Sequence, residues 1–216
     1  MQQKPGTYFL LLLFLFAISC NEPGLLSQSG KKAFIKDIPI YKNGKPGIFY
    51  DLAKGFSEKL NISNIEKGDD SLRVRIWYDF SLIGNKKMID IVFTKAACIA
   101  NLYEWIGYMT FDSKKEITVT DIKKLQLAPK TDCNNILDNI KRLKILELPT
   151  MDSIPDLRDS WADGHTVSFE IGTKEQYRFY SYHMAEKFAD RFWQAANVDK
   201  FLDMIEAELN VPKNSW

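Results

Sequence analysis

Arg73-Val74-Arg75-Ile76-Trp77-Tyr78-Asp79-Phe80 opens a stretch, residues 73–108, in which three consecutive runs rich in β-branched and aromatic side chains are separated by turn-like breaks. In an extended strand successive side chains point to opposite faces, so Val74, Ile76, Tyr78 and Phe80 fall on one side and Arg73, Arg75, Trp77 and Asp79 on the other. Ile83-Gly84-Asn85-Lys86 supplies a turn. In the second run Ile89, Ile91 and Phe93 alternate with Met88, Asp90 and Thr94, so the pair reads as a hairpin with one buried and one mixed face. The third run, residues 98–108, keeps Ile99, Tyr103, Trp105 and Tyr108 but alternates imperfectly, and Gly107 marks a candidate bulge. The rest of the chain reads as material that covers one face of this meander.

Length and composition bound the answer. A chain of 216 residues, 45% apolar and 13% aromatic, can bury one sizeable core and is too short for two large domains. Of 29 Lys and Arg one, Lys4, lies in the leader described next, which leaves 28 basic side chains against 28 Asp and Glu. That balance implies no polyanion-binding surface, and no basic cluster is denser than the pairs Lys31-Lys32 and Lys86-Lys87, so nucleic acid is not an expected partner.

The first twenty residues carry one basic residue, an apolar run over 8–18, and small residues before a cysteine. At 1.5 Å per residue that run reaches roughly 16 Å, about half of a hydrocarbon core, so it reads as a signal-peptide core and not as a membrane span. Ala17-Ile18-Ser19-Cys20 resembles the lipobox of bacterial lipoproteins, which implies that Cys20 is lipidated, becomes the first mature residue and anchors the protein stably in the membrane; an ordinary secretory signal is the alternative. Asn21, where Asp would hold a lipoprotein at the inner membrane in the enterobacterial sorting rule, implies the outer membrane. Residues 21–32 mix Pro, Gly, Ser and Gln without periodicity and read as a flexible tether with a reach of roughly 20 Å. The organisation expected is therefore a signal peptide over 1–20, a tether over 21–32, one α+β domain over 33–209, and a tail over 210–216.

Within the domain, residues 38–41 read as a short edge strand restricted by Pro39, and 50–60 as a helix with Leu52, Ala53, Phe56 and Leu60 on one face and Gly55 costing it about 1 kcal/mol. A fourth strand is expected over 117–122 and is closed by Pro129. A helix follows over 131–143 with Thr131 as N-cap and the stripe Ile136, Leu137, Ile140 and Leu143. Residues 146–163 read as irregular, 165–171 and 177–183 as a second hairpin, and 197–209 as the strongest helix, one that starts as early as Lys187 on the most generous reading. The fold class is an antiparallel sheet of five to seven strands, a meander plus a C-terminal hairpin, covered by two or three helices.

Pro129-Lys130, Ile136-Leu137-Asp138, Ile145, Leu148-Pro149, Met151, Ile154, Asp163-Gly164, Glu170 and the run Tyr177-Arg178-Phe179-Tyr180-Ser181-Tyr182, followed by an amphipathic helix, resemble a functionally uncharacterised family of small exported Gram-negative lipoproteins. The resemblance covers mainly 125–209. It departs from the family pattern at 131–133, where relatives tend to have Ser-Gly-Trp, and at His183-Met184, where they tend to have Asn-Pro. It implies an exported protein and supplies no reaction.

Candidate chemistry is sparse. His165 and His183 are the only histidines, and a zinc site from these two with Cys133 and Asp163 lacks the tight ligand spacing of structural sites. Gly-x-Ser-x-Gly, His-Glu-x-x-His and phosphate-loop motifs are absent from the sequence, and no cofactor is implied. Cys98 and Cys133 read as two buried thiols, because one lies in a strand and the other opens a helix; the alternative, a disulfide, is permitted in an exported compartment. Trp77, Tyr180, Tyr182 and Trp193 read as packing aromatics, with a stacking surface for sugars or peptides as the alternative. In the second hairpin, burying Val167, Phe169 and Ile171 beside Tyr177 and Phe179 sets Ile171 opposite Tyr177 across a loop over 172–176, and Glu170 opposite Arg178 on a polar face with Tyr180 and Tyr182. Glu170, Arg178, Tyr180 and Tyr182 are the binding candidates. The function read from these features is a non-enzymatic, membrane-anchored binding or envelope module with an envelope protein or glycan as ligand, and the alternative is an exported hydrolase or zinc enzyme using His165, His183 and nearby acids. Limited proteolysis of the mature protein is expected to leave a stable core that begins near Ala33, read by N-terminal mass analysis; resistance throughout 21–32 would contradict the tether.

Overall fold

The computed structural model describes residues 33–78, 83–94, 97–110, 116–157 and 164–213; the leader with Cys20, the stretch 21–32, Asp163 and residues 214–216 lie outside the described residues. The meander is built as the alternation requires. Strand β2 (Leu72–Tyr78) pairs antiparallel with β3 (Ile83–Phe93), β3 with β4 (Cys98–Met109), and β4 with β5 (Ile117–Leu127). The expected turn Ile83-Gly84-Asn85-Lys86 lies instead within β3, where Gly84 sits opposite Gly107, so the strand begins earlier than its apolar run suggests. The irregularity expected at Gly107 falls at the neighbouring pairs: between Glu104 and Ile106 the register of β5 shifts, and Asp121 takes up the extra residue with a left-handed φ of 53°.

Two further strands, β6 (Thr166–Gly172) and β7 (Gln176–His183), form the second hairpin, and β6 adds to the free side of β2. A short strand β1 (Ile35–Asp37) lies parallel to β7, giving a seven-stranded mixed sheet in the order β1-β7-β6-β2-β3-β4-β5. The sheet is thus mostly, and not wholly, antiparallel. The edge strand expected at 38–41 is displaced to 35–37, since Pro39 has no N–H to give to a ladder and Ile40 makes only an isolated bridge to Pro46.

Both faces of the sheet are covered, whereas the sequence suggested one. Val74, Ile76, Ile89, Ile91 and Phe169 pack against Ile136 and Ile140 of helix α2 (Cys133–Arg142) and Val198, Phe201 and Ile205 of the C-terminal helix α4 (Trp193–Leu209). On the other face Trp77, Met88, Trp105 and Phe179 pack against Leu52, Ala53 and Phe56 of helix α1 (Ile48–Lys59). Gly55 is explained by this second layer: a Cβ there would stand 2.1 Å from Cδ1 of Ile117, so the glycine lets α1 approach β5. A one-turn helix α3 (Ala185–Phe188) precedes α4, and the chain between them turns at Phe192, which is extended, so the stripe on 198–209 does not continue back to Lys187 as one helix.

Capping departs from expectation in an instructive way. Asp132, not Thr131, caps α2 by accepting from the Asn134 N–H. Thr131 instead donates its N–H (2.9 Å) and hydroxyl (2.8 Å) to Oε2 of Glu208, whose Oε1 accepts from Asn135 at 2.9 Å. Burial opposes the charge on Glu208, but these donors and Lys130 hold its carboxyl below the usual range, so α4 lends α2 the anion that a helix N-terminus favours. Residues 210–213 are not a free tail: Val211 is buried, and Lys213 pairs with Asp199 at 2.7 Å and with Asp203.

Cys98 and Cys133 form a disulfide with a Cα separation of 5.8 Å, inside the ordinary range, which overturns the two-thiol reading. The first turn of α2 lies against the start of β4, which brings the two cysteines together. Closing a loop with a sequence separation of 35 should contribute about 4 kcal/mol through the unfolded chain. The Cys98→Ser/Cys133→Ser double variant is accordingly expected to lower the urea unfolding free energy by about that amount.

Candidate functional site

Arg75 stands directly opposite Asp90 of β3 on one side and Glu170 of β6 on the other, so three charges cross three neighbouring strands in one row on the α1 face. Arg75 is fully buried. It donates Nε to Asp90 Oδ1 (3.2 Å), Nη1 to Glu170 Oε2 (3.2 Å), and Nη2 to the Ser63 carbonyl (2.6 Å) and hydroxyl (3.1 Å). Glu170 also accepts from Trp77 Nε1 at 3.3 Å and from the Tyr177 hydroxyl at 3.2 Å. Burial opposes the guanidinium charge, yet Glu170 and Asp90 outweigh it and raise the Arg75 pKa above its ordinary value. The cavity beside the row, bordered by Tyr50, Ser57, Glu66 and Tyr177, holds about 50 Å³, room for water and nothing larger.

That row decides the second hairpin. Glu170 lies opposite Phe179 and Ile171 opposite Arg178, one residue away from the expected register, so Glu170 and Arg178 are on opposite faces and the expected cross-strand pair does not exist. The loop shortens correspondingly: Thr173 N–H donates to the Gln176 carbonyl at 2.8 Å, and the Thr173 hydroxyl accepts from the N–H groups of Glu175 and Gln176. Arg178, Tyr180 and Tyr182 therefore share the face of Val167, Phe169 and Ile171. There they serve a segment without ladder partners. The Tyr180 hydroxyl donates to the Ile145 carbonyl (2.6 Å), the Tyr182 hydroxyl to Pro149 (2.8 Å), and the Arg178 guanidinium to Leu146 and Leu148. Three side chains at alternate positions of β7 thus satisfy four carbonyls of an irregular stretch that packs over the sheet.

The same stretch forms one wall of an open cleft of about 390 Å³. Its opposite wall is Asp37, Pro39, Ile40 and Tyr41, and Arg178, Phe179 and Tyr180 lie at its base. Arg178 Nε donates to Asp37 Oδ2 at 2.8 Å, which ties β1 to β7 and balances that carboxylate. The Tyr41 hydroxyl donates to Asp152 Oδ2 at 2.8 Å; burial first, then this bond and the Asp152 charge, push the Tyr41 phenol well up. Glu147 adds a third carboxylate beside Asp37 and Asp152, so the lining offers hydrogen-bond acceptors, the Arg178 guanidinium and the Tyr41 ring to a ligand.

Of the binding candidates read from sequence, Arg178 and Tyr180 border this cleft, while Glu170 and Tyr182 do not. Trp77 is buried, and Trp193 is exposed on α4, where Lys144 lies over its ring at 5.6 Å. The two histidines do not meet at the cleft. His183 Nδ1 is 3.0 Å from the Thr166 hydroxyl in the interior, and His165 Nε2 is 3.3 Å from Glu186. Cys133 is held in the disulfide, and among the described residues no group of three or more His, Cys, Asp or Glu side chains could hold a metal ion. The sequence reading missed Asp37, Tyr41 and Asp152, whose meeting depends on the fold. It also missed Arg75 and Asp90, whose signal was available as charges placed in the middle of β-forming runs. No match is found among protein-family models, curated proteins or solved structures.

Removing one partner of a buried ion pair leaves the other uncompensated. Arg75→Met is therefore expected to cost about 3–5 kcal/mol in denaturant unfolding. Arg178→Ala should cost less, about 1–3 kcal/mol, because it leaves two neutral carbonyls and the half-exposed Asp37 carboxylate and not a pair of buried charges.

Proposed function

We propose that this protein is a non-enzymatic, lipid-anchored binding module of the cell envelope, fixed through Cys20 in the outer membrane of a Gram-negative bacterium, with the cleft between β1 and residues 147–153 as its ligand site. The observation that carries the reading is the engagement of the reactive side chains. Glu170, Arg178, Tyr180, Tyr182 and both histidines make bonds within the fold, and the cleft presents acceptors, rings and apolar surface. Its volume lies within the usual range for small-ligand sites and suits a short glycan or a few residues of an envelope protein. The disulfide adds support for export, since such bonds persist in oxidising compartments. The rival, a hydrolase or zinc enzyme built on His165 and His183, has the weaker support, because the proposed thiolate ligand Cys133 is oxidised and the histidines have separate partners.

Metabolic labelling with a palmitate analogue should mark the wild type and leave Cys20→Ser unmarked, and an unlabelled wild type would end the anchor reading. For the cleft, peptidoglycan fragments, oligosaccharides and cationic peptides are titrated against the purified protein. A ligand that raises the melting temperature of the wild type should fail to do so for Asp152→Asn, while a covalent change in the ligand would overturn the non-enzymatic reading.

A further inference from the structure

We propose that the cleft between β1 and residues 147–153 seats a basic side chain of an extended envelope-protein segment, an inference that rests on the cleft reading above and names the chemistry of its ligand. Charge is the first ground. The lining holds the carboxylates of Asp37, Glu147 and Asp152 against the single guanidinium of Arg178, which leaves two negative charges uncompensated. Lys42 and Lys45 stand on the neighbouring turn, but neither borders the cleft. A concave site lined by one sign of charge concentrates ligands of the other sign.

The hydrogen-bond inventory is the second ground, and it separates a cation from a neutral ligand. The donors of the lining are largely spent inside the fold. Each nitrogen of Arg178 already donates, Nε to Asp37 at 2.8 Å, Nη1 to the Leu146 carbonyl and Nη2 to the Leu148 carbonyl at 3.0 Å. The Tyr41 hydroxyl is given to Asp152 Oδ2 at 2.8 Å and the Ser153 hydroxyl to the Thr150 carbonyl at 2.7 Å. The acceptors are not spent. Asp37 and Asp152 each engage only Oδ2, so Oδ1 of both is left over, and the Glu147 carboxylate has no partner among the described residues. A glycan brings hydroxyls that both donate and accept, whereas an ammonium or guanidinium brings donors only. A site with acceptors to spare and few donors is matched by the cation.

Shape is the third ground. Pro39, Ile40 and Pro149 line the cleft beside these carboxylates, so a long stem can lie on apolar surface while its charged head reaches an acceptor, as Lys and Arg side chains do. Tyr41, 39% exposed, lays its ring against the bare Cα of Gly47, where a Cβ would stand 2.4 Å from Tyr41 Cε2. A side chain at 47 would displace the ring and with it the bond to Asp152. A ring held beside a carboxylate adds its own attraction for a cation. The volume of about 390 Å³ is that of a site for a whole small ligand and not for one ammonium group. Ile40, 60% exposed, adds apolar surface for the residues that flank the basic one, which favours a peptide over a free amine.

The test titrates the full mature chain in neutral detergent with a blocked pentapeptide carrying two lysines, the same peptide with both lysines Nε-acetylated, 1,4-diaminobutane, and a neutral N-acetylglucosamine trimer. Calorimetry reads affinity, and amide hydrogen exchange reads the place of binding. The lysine peptide is expected to bind, to slow exchange over 37–41 and 147–153, and to lose about tenfold in affinity on acetylation. Glu147→Gln, at an exposed side chain without partners in the fold, should weaken it about threefold and leave the melting temperature unchanged. Equal affinity for the acetylated peptide, or binding of the sugar alone with exchange slowed at the cleft, overturns the cation and leaves the cleft as a ligand site. Binding of 1,4-diaminobutane as tight as that of the peptide overturns the peptide in favour of a free amine. Protection by the lysine peptide confined to other residues, or no binding by any probe, sinks the cleft reading along with the proposal.

Discussion

The buried row Asp90-Arg75-Glu170 constrains the rest of this fold. Ion pairs inside a protein seldom add net stability, because desolvation offsets their attraction, but they penalise every arrangement in which one member loses its partners. Here the row crosses β3, β2 and β6 at directly opposed positions. A one-residue slip of any of these strands would turn a charge into the layer of Val74, Ile76 and Phe169 and leave its partner alone. Hydrophobic alternation on these strands is a weak guide to register, since both faces are buried and both accept large side chains. The charges supply the discrimination that the apolar residues lack.

From this constraint the second hairpin follows. Glu170 faces Arg75, so Phe179 and Tyr177 share its face, and Arg178, Tyr180 and Tyr182 are carried to the other. Those three are long side chains with donors at their ends, and the adjoining segment 145–149 has carbonyls with no neighbouring strand to donate to them. The match is local, yet it has a consequence at the sheet edge: Arg178, held by the Leu146 and Leu148 carbonyls, is left pointing one nitrogen at Asp37, and β1 is joined to β7 by that contact as well as by its short ladder. The cleft exists because β1 and the irregular segment are both fastened to β7 and diverge beyond it.

Much of the architecture was legible from residue pattern. The described parts of the runs at 73–108, the two strands within 165–183 though not their register, and the stripe Val198, Phe201, Leu202, Ile205 and Leu209 became the strands and helix their periodicity implies, and that stripe is buried throughout. What was not legible has specific causes. Arg73, Arg75 and Trp77 look like a solvent face when polarity alone is read, and only the opposed carboxylates reveal that the face is interior. The register of β6 on β7 could not be derived from the hairpin by itself, because the deciding partner of Glu170 lies 95 residues away. Glu208, at the end of α4, caps a neighbouring helix, and Cys133 meets Cys98 through the packing of α2 on β4; neither relation leaves a mark at fixed spacing. Of the cleft, Arg178 and Tyr180 were visible as candidates, while Asp37, Tyr41 and Asp152 are ordinary loop and edge residues until the fold assembles them.

The two edges of the sheet then differ in a way that bears on where function can sit. The outer strand β5 is eleven residues long and exposed along most of its length, the kind of edge that invites pairing with another chain. It carries its own defence: the bulge at Asp121 breaks the ladder, and Lys123 and Lys124 follow immediately, so an incoming strand would meet a changed register and two charges. At the opposite edge β1 has only three residues, too few to template a partner strand, and the chain leaves it at once for Pro39 and the turn that bears Lys42 and Lys45. Protection by shortness leaves that edge open to contacts made by side chains. The cleft lies at this end, where Ile35 and Ile40 are exposed, so the two edges of the sheet are protected by different means: β5 by its bulge and lysines, β1 by its brevity.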